Sequence, residues 1–173
     1  MEATQARALV VKSEVYFSDQ CHSREGARLQ AKLKDGTQLT PGENTAFVVD
    51  EFIYDPSRSR GALSVSVIRG SVHIHRGSDP RVSLAKVQIR TPVGAIGLPG
   101  TTGWGGPIDK SYGVIVLSGK VTVTGRRGTV TLKQGQERCS SATANLRGAA
   151  AWPAGRMKRA VASITFGNPP AQQ

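Results

Sequence analysis

The chain has 173 residues, 38% apolar, 20% charged and 5% aromatic, which suits one ordinary domain with a core of its own. Its 20 Gly, 9 Pro and 2 Cys exclude a collagen, a coiled coil and a disulfide-dense mini-protein. The net charge of +11 is unevenly placed: residues 1–79 hold ten Lys/Arg against ten Asp/Glu, whereas residues 80–173 hold thirteen against Asp109 and Glu137 alone.

From the start of the chain, the apolar runs Ala8-Leu9-Val10-Val11 and Val15-Tyr16-Phe17 are too short to span a bilayer, and no signal peptide is visible. Cys21 and Cys139 lack CxxC or Cys/His metal spacing and read as two separate thiols rather than a disulfide. Helical periodicity is nearly absent before residue 140. Arg28 to Leu33 alternates with Leu29, Ala31 and Leu33 on one face, and Asp35-Gly36 supplies the positive-φ positions of a tight hairpin turn. Phe47 to Tyr54 is the next extended run, closed by Asp55-Pro56.

A weak internal repeat follows. Val65-Ser66-Val67-Ile68-Arg69-Gly70-Ser71-Val72-His73-Ile74 shares its pattern with Val114-Ile115-Val116-Leu117-Ser118-Gly119-Lys120-Val121-Thr122-Val123, each a strand entering and leaving a glycine that permits a sharp bend. Two similar layers, stacked or face to face, are expected. Val87 to Arg90 alternates, Gly94 to Gly106 reads as a glycine-rich turn between strands, and Gly128 to Leu132 is a further short strand. After Ser140 Ala becomes frequent, and Met157, Val161 and Ile164 permit one short basic helix at about 154–164. Gly167 to Gln173 reads as a tail.

Several of these phrases, in order, resemble the FecR-type extracytoplasmic β domain of bacteria over about residues 15–137. They are Leu33 to Gly42, Val48-Val49-Asp50-Glu51-Phe52-Ile53-Tyr54-Asp55-Pro56, the Gly70 strand pair, Thr91 to Gly97, Gly100-Thr101-Thr102, and the Gly119 strand pair ending at Gly135-Gln136. The Asp50 to Pro56 run is the most distinctive. Pro99 stands where the family usually has an Arg or similar residue, and the family's first strand is not recognisable before Glu14. The resemblance implies an all-β domain of exported or membrane-anchored proteins that makes protein–protein contacts, in some members relaying a signal to a sigma factor. It implies no catalysis and a periplasmic or extracellular location.

The chemistry-bearing residues agree with a non-enzymatic reading. His73 and His75 share one face of a strand, but a metal site needs a third ligand, and only Asp19 and His22 offer one. The stretch Gly94 to Gly103 has Pro99 inside, no Lys and no following helix, so it lacks what a phosphate loop requires. Asp50 and Glu51, adjacent on a strand, are expected on opposite faces and so not to act as one acid/base couple. Trp104 and Tyr112 flank the glycine-rich stretch, either as exposed interface anchors or, more usually for such rings, as core. Arg126-Arg127 at a hairpin tip and Arg156, Lys158 and Arg159 are the densest cationic points, with only Trp152 nearby to stack a base.

The sequence therefore predicts an all-β single domain of short strands and hairpins, a sandwich or short solenoid-like roll, with at most one short C-terminal helix. Residues 1–140 are expected to form the FecR-like domain and 141–173 an Ala-rich basic segment. The expected function is non-enzymatic protein–protein interaction or assembly, regulatory or signalling in some settings, with another envelope protein or a second copy as partner. Nucleic acid is not favoured, and no cofactor, metal or catalytic residue is expected. The contact candidates are Arg126, Arg127, Trp104 and Tyr112. The alternative is a basic module that binds an anionic polymer or nucleic acid through residues 80–173.

Overall fold

A computed structural model of the chain describes residues 7–16, 18–27, 29–77, 79, 81–99, 102–125, 128–140 and 150–164. These residues form fourteen strands and one α-helix. The strands are β1 (Gln20–His22), β2 (Ala31–Lys32), β3 (Gln38–Pro41), β4 (Ala46–Asp55), β5 (Arg60–Arg69), β6 (Val72–His75), β7 (Ser83–Thr91) and β8 (Gly94–Gly97). They continue with β9 (Thr102–Ile108), β10 (Ser111–Ser118), β11 (Lys120–Gly125), β12 (Gly128–Lys133), β13 (Gln136–Ser140) and β14 (Ala150–Ala151), and α1 spans Ala154–Ala162. Two open seven-stranded sheets result. Sheet A has the order β1-β4-β5-β7-β8-β11-β12 and sheet B the order β14-β13-β10-β9-β6-β3-β2. The expected all-β class and short C-terminal helix are thus observed, as a sandwich.

The two Val-rich repeats explain how the layers are connected. β5 lies in sheet A and β6 in sheet B, joined at Gly70; β10 lies in sheet B and β11 in sheet A, joined at Gly119. Both glycines have positive φ, +87° and +77°, which L side chains resist. Each repeat is therefore one crossing between the layers, in opposite senses. Because β6 detours through sheet B, β7 returns to sheet A beside β5 and parallel to it.

Between the sheets the inward residues close on one another. Val65, Ile89, Ile96, Val123 and the half-buried Val130 form one transverse row across sheet A, facing Leu39, Ile74, Val114 and Val116 of sheet B. Most of these side chains are under 5% exposed, and each such aliphatic group contributes about 1.5–3 kcal/mol by leaving water. Cys21 is a buried free thiol in this core, raised in pKa chiefly by burial, while Cys139 falls on β13 opposite Gly113.

Two local expectations are corrected. The Asp35-Gly36 hairpin has one positive-φ residue, Gly36, rather than two. Leu33 N–H donates to Thr37 O at 2.8 Å and Gly36 N–H to Leu33 O at 3.0 Å, so the loop is one residue longer than a two-residue turn. Asp35, 3% exposed, closes the loop by accepting from Thr37 N–H and hydroxyl at 3.2 and 2.5 Å. The glycine-rich stretch is largely strand: Gly94–Gly97 is β8 and Thr102–Ile108 is β9. Two of its glycines, Gly103 and Gly105, make room for neighbours on the inner face. A Cβ at Gly103 would lie 3.3 Å from Leu98 Cδ2, and one at Gly105 3.2 Å from Ile96 Cδ1.

Sheet B is covered on its outer side as well. Trp104, Ile108 and Ile115 point away from the inter-sheet core and meet Trp152, Ala160 and Ile164, with Met157 and Leu117 at the rim. The predicted helix at 154–164 is observed at Ala154–Ala162, and its apolar stripe is what docks.

Candidate functional site

The docked helix accounts for the acidic residues of the basic half. Arg156 donates to Asp109 Oδ2 at 2.7 Å and to Glu137 Oε1 at 3.0 Å, and Arg159 donates to Asp109 at 2.9 Å. Both carboxylates of residues 80–173 therefore bind α1. The Arg156 hydrogen bond holds the Asp109 carboxyl below its ordinary pKa, with Arg159 adding to the effect. A carboxyl lowered in the folded state stabilises above its unfolded pKa, near 4, and that contribution is lost as pH falls through the folded value. Amide protection of α1 is expected to drop below about pH 4 before the sheets melt. Arg156→Met, which removes two hydrogen bonds to the 8%-exposed Glu137 and one to Asp109, should cost on the order of 2 kcal/mol in urea unfolding. Unchanged stability and helix protection in that variant would exclude this latch.

Trp104 and Tyr112 are both buried, at 2% and 9% exposure, and belong to different clusters. Trp104 packs 6.1 Å from Trp152 and donates Nε1–H to Ser163 Oγ at 3.2 Å. Tyr112 points into the inter-sheet core, where its hydroxyl has no hydrogen-bond partner among the described residues and burial raises its pKa. Neither ring faces solvent. Arg126 and Arg127 lie outside the described residues, between the paired Gly125 and Gly128 that end β11 and begin β12.

His73 and His75 share the outer face of sheet B as expected, beside Trp104 and Thr102 in register. His73 is half-buried, and desolvation lowers its pKa. His75 Nδ1 is 2.9 Å from Thr102 Oγ1. Among the described residues no group of three His, Cys, Asp or Glu side chains is placed to hold a metal.

An open groove of about 420 Å³ lies at this end of the sandwich, lined by Lys32, Lys34, Asp35, Gln38, His75 and Arg76 among others. Its carboxylates already have partners. Asp35 is bound to Thr37, and Asp79 accepts from Arg81 and from Tyr54 Oη, 2.9 Å away. The Arg81 hydrogen bond holds Asp79 far below the usual carboxylate range.

Asp50 and Glu51 require a further correction, because they do not lie on opposite faces. β4 shifts register between Val49, opposite Val65, and Glu51, opposite Ser64, so Asp50 is the extra residue of a bulge. Val49 and Phe52 both pack on the core, which leaves Asp50 and Glu51 together on the outer side. Ser66 Oγ donates to Asp50 Oδ2 at 2.7 Å, so that carboxylate is a structural acceptor.

The outer face of sheet A is a feature that no single stretch of the sequence announces. Two rows cross it in register, Ser66–Arg90–Ala95–Thr124–Thr129 and Ser64–Gln88–Gly97–Thr122–Thr131. They flank the inward row of Val65, Ile89, Ile96, Val123 and Val130. The rows continue onto β4 at Val48 and Glu51, so the face is a mixed polar one in which hydroxyl and small side chains stand beside Gln88, Arg90 and Glu51, with Ser64 buried among them and neighbouring strands about 4.8 Å apart. Thr124 Oγ1 and Thr129 Oγ1 are 2.9 Å apart, tying β11 to β12. Among the described residues the α-helix docks on the outer face of sheet B and not on this one. The signal lay in Ser64-Val65-Ser66, Thr122-Val123-Thr124 and Thr129-Val130-Thr131, three alternating triplets that become one surface only when paired.

Comparison with known proteins agrees with this architecture. A family model described as FecR protein matches residues 19–122. Two crystal structures of a candidate anti-sigma factor from Parabacteroides distasonis are similar, with TM-scores of 0.65 and 0.63 at 17% and 16% identity. Each match covers 81% of this chain but 62% and 63% of the other, so the chain spans less than two thirds of their length. At this identity the likeness is one of fold. No curated protein matches the chain.

Proposed function

Because the chain belongs to the FecR family, we propose that it is a non-enzymatic, extracytoplasmic protein-binding module with a regulatory role. The observation that carries this reading is the polar outer face of sheet A, with Arg90, Thr124, Thr129 and Thr131 exposed and no helix docked on it among the described residues, in a domain of that family. The exposed threonines of β11 and β12 lose little rotamer entropy on burial, and Arg90 beside them supplies a charged anchor, which suits contact with a folded partner. The likeness to a candidate anti-sigma factor supports a regulatory setting. No helix among the described residues is long and apolar enough to cross a membrane. We further propose residues 1–140 with the docked segment 150–164 as the unit that presents this face. Arg126 and Arg127 would steer an acidic partner toward it, while Trp104 and Tyr112 contribute through the fold.

The test is retention of a protein from a bacterial envelope extract by the immobilised full chain. Specific retention is expected, reduced by Thr122→Arg on the face and reduced about threefold or more by R126A/R127A, with a marked salt dependence. Equal retention by Thr122→Arg would sink the assignment of the face. The second reading, an anionic-polymer binder, draws on the thirteen Lys/Arg of residues 80–173. It predicts binding of DNA or anionic polysaccharide at roughly 50 mM salt that falls steeply as salt rises. Tight polymer binding with no retained protein would replace the first reading by the second.

A further inference from the structure

Each open sheet has two edges, and three of the four are short. β1 has three residues, and β2 and β14 have two each. The fourth, β12, runs six residues at the end of sheet A. An unpaired edge presents a row of backbone donors and acceptors, and natural sheets blunt long edges with proline, bulges, charge or cover. β12 contains no proline and pairs with β11 in unbroken register from Gly128 to Lys133. No described strand lies on its outer side.

The direction of its free groups follows from one hydrogen bond. Lys133 N–H donates to Gln136 Oε1 at 2.8 Å and so points away from β11. Antiparallel ladders alternate, so the N–H and C=O of Thr131 and Thr129 also point outward from the sheet edge. Val130 and Leu132 anchor the strand in the core and hold those four groups in place. Both threonines are exposed on the outer face.

We propose that β12 is a docking edge for an extended acidic segment of a partner protein, which adds antiparallel as an eighth strand of sheet A. This rests on reading the chain as a protein-binding module and names the chemistry of its partner. Charge selects the occupant. The charged side chain of β12 is the exposed Lys133, and both carboxylates of residues 80–173 are engaged with α1. A second copy would bring another +11 against this edge, whereas an acidic strand gains from it. The added strand would place acidic side chains on the outer face near Lys133 and aliphatic ones beside Val130, extending the core rim.

The probe is a blocked peptide of about eight residues alternating Glu and Val, compared with a Lys/Val counterpart, against the full chain. Saturating Glu/Val peptide is expected to slow exchange of the Thr129 and Thr131 amides about tenfold or more. Thr131→Pro removes an outward N–H without removing a ladder bond to β11, so it should weaken the peptide about tenfold while leaving the thermal midpoint nearly unchanged. Lys133→Glu, which keeps the backbone, should weaken it about fivefold or more at low salt. Unchanged exchange at saturation, full affinity in Thr131→Pro, or equal binding of the Lys/Val peptide each overturns the proposal. So does a self-association that Thr131→Pro abolishes, since a second copy would then be the occupant. If Thr131→Pro retains the envelope partner as well as the parent chain does, the edge assignment falls and the protein-binding reading stands. If the parent chain retains no protein, that broader reading falls while the peptide assay still reports on the edge.

Discussion

Trp104→Ala is expected to destabilise the chain by about 3–5 kcal/mol, the range for truncating a buried large aromatic. The ring is 2% exposed on the outer side of sheet B, tilted 40° against Trp152, with Ile108, Ile115, Ala160 and Ile164 in the same cluster. Its loss opens a cavity between sheet and helix and removes the Nε1–H donor from Ser163 Oγ. The effect should therefore be local as well as global. Amides of 154–164 are expected to exchange far faster than those of β5 and β10, as measured by hydrogen exchange alongside urea unfolding. Trp104→Phe, which refills most of the volume, should recover a large part of the loss. A loss under about 1 kcal/mol with α1 still protected would show that the helix is anchored elsewhere.

The second large effect is expected at the crossing between the sheets. Gly70→Ala should cost more than about 3 kcal/mol, combining left-handed backbone strain of about 1–2 kcal/mol with a steric conflict that cannot relax. A Cβ at Gly70 would lie 2.2 Å from Thr45 Oγ1 and 2.6 Å from Thr45 Cα, which is backbone. Thr45 is itself fixed. Its hydroxyl accepts from Ser71 N–H and donates to Ser71 O, both at 3.1 Å, and its N–H donates to Ser23 Oγ at 3.0 Å. Gly135→Ala supplies the comparison, because Gly135 has φ +76° but nothing within 4 Å of its Cβ position. That variant should show the backbone strain alone, about 1–2 kcal/mol. Equal losses in the two variants, measured by urea unfolding, would remove the steric part of this account.

Much of this architecture was legible in particular residues. Val65 to Ile74 and Val114 to Val123 announced two bends at glycine, and both became crossings between the layers. Met157 and Ile164 marked the buried stripe of the C-terminal helix, although Val161, counted on the same stripe, is 38% exposed. The glycine-rich stretch misled because glycine signals turns locally, whereas Gly103 and Gly105 are small in order to receive Leu98 and Ile96 from the opposite sheet. Asp50 and Glu51 misled for a different reason. Strict alternation assigns them opposite faces, and the bulge that overrides it depends on the partner strand, which adjacent residues do not specify.

The candidate site was less legible than the fold. Its hydroxyl rows draw on β5, β7, β8, β11 and β12, and each triplet alone reads as an ordinary half-exposed strand. Arg156 meets Glu137 and Asp109 at sequence separations of 19 and 47 residues, so nothing near the helix announced that its charges were matched.

By itself, then, the sequence determined the all-β class, the bends, the helix and the family, because the two-residue period of the pleat and the steric freedom of glycine are imposed locally, whatever the neighbours. Its uneven charge was also plain from the start. Only the tertiary structure decided that the two acidic residues of the basic half fasten α1, that this helix docks on sheet B rather than sheet A, and that β12 ends sheet A as a six-residue open edge. Those outcomes depend on which strands pair across large separations, and pairing is settled by packing of the whole core.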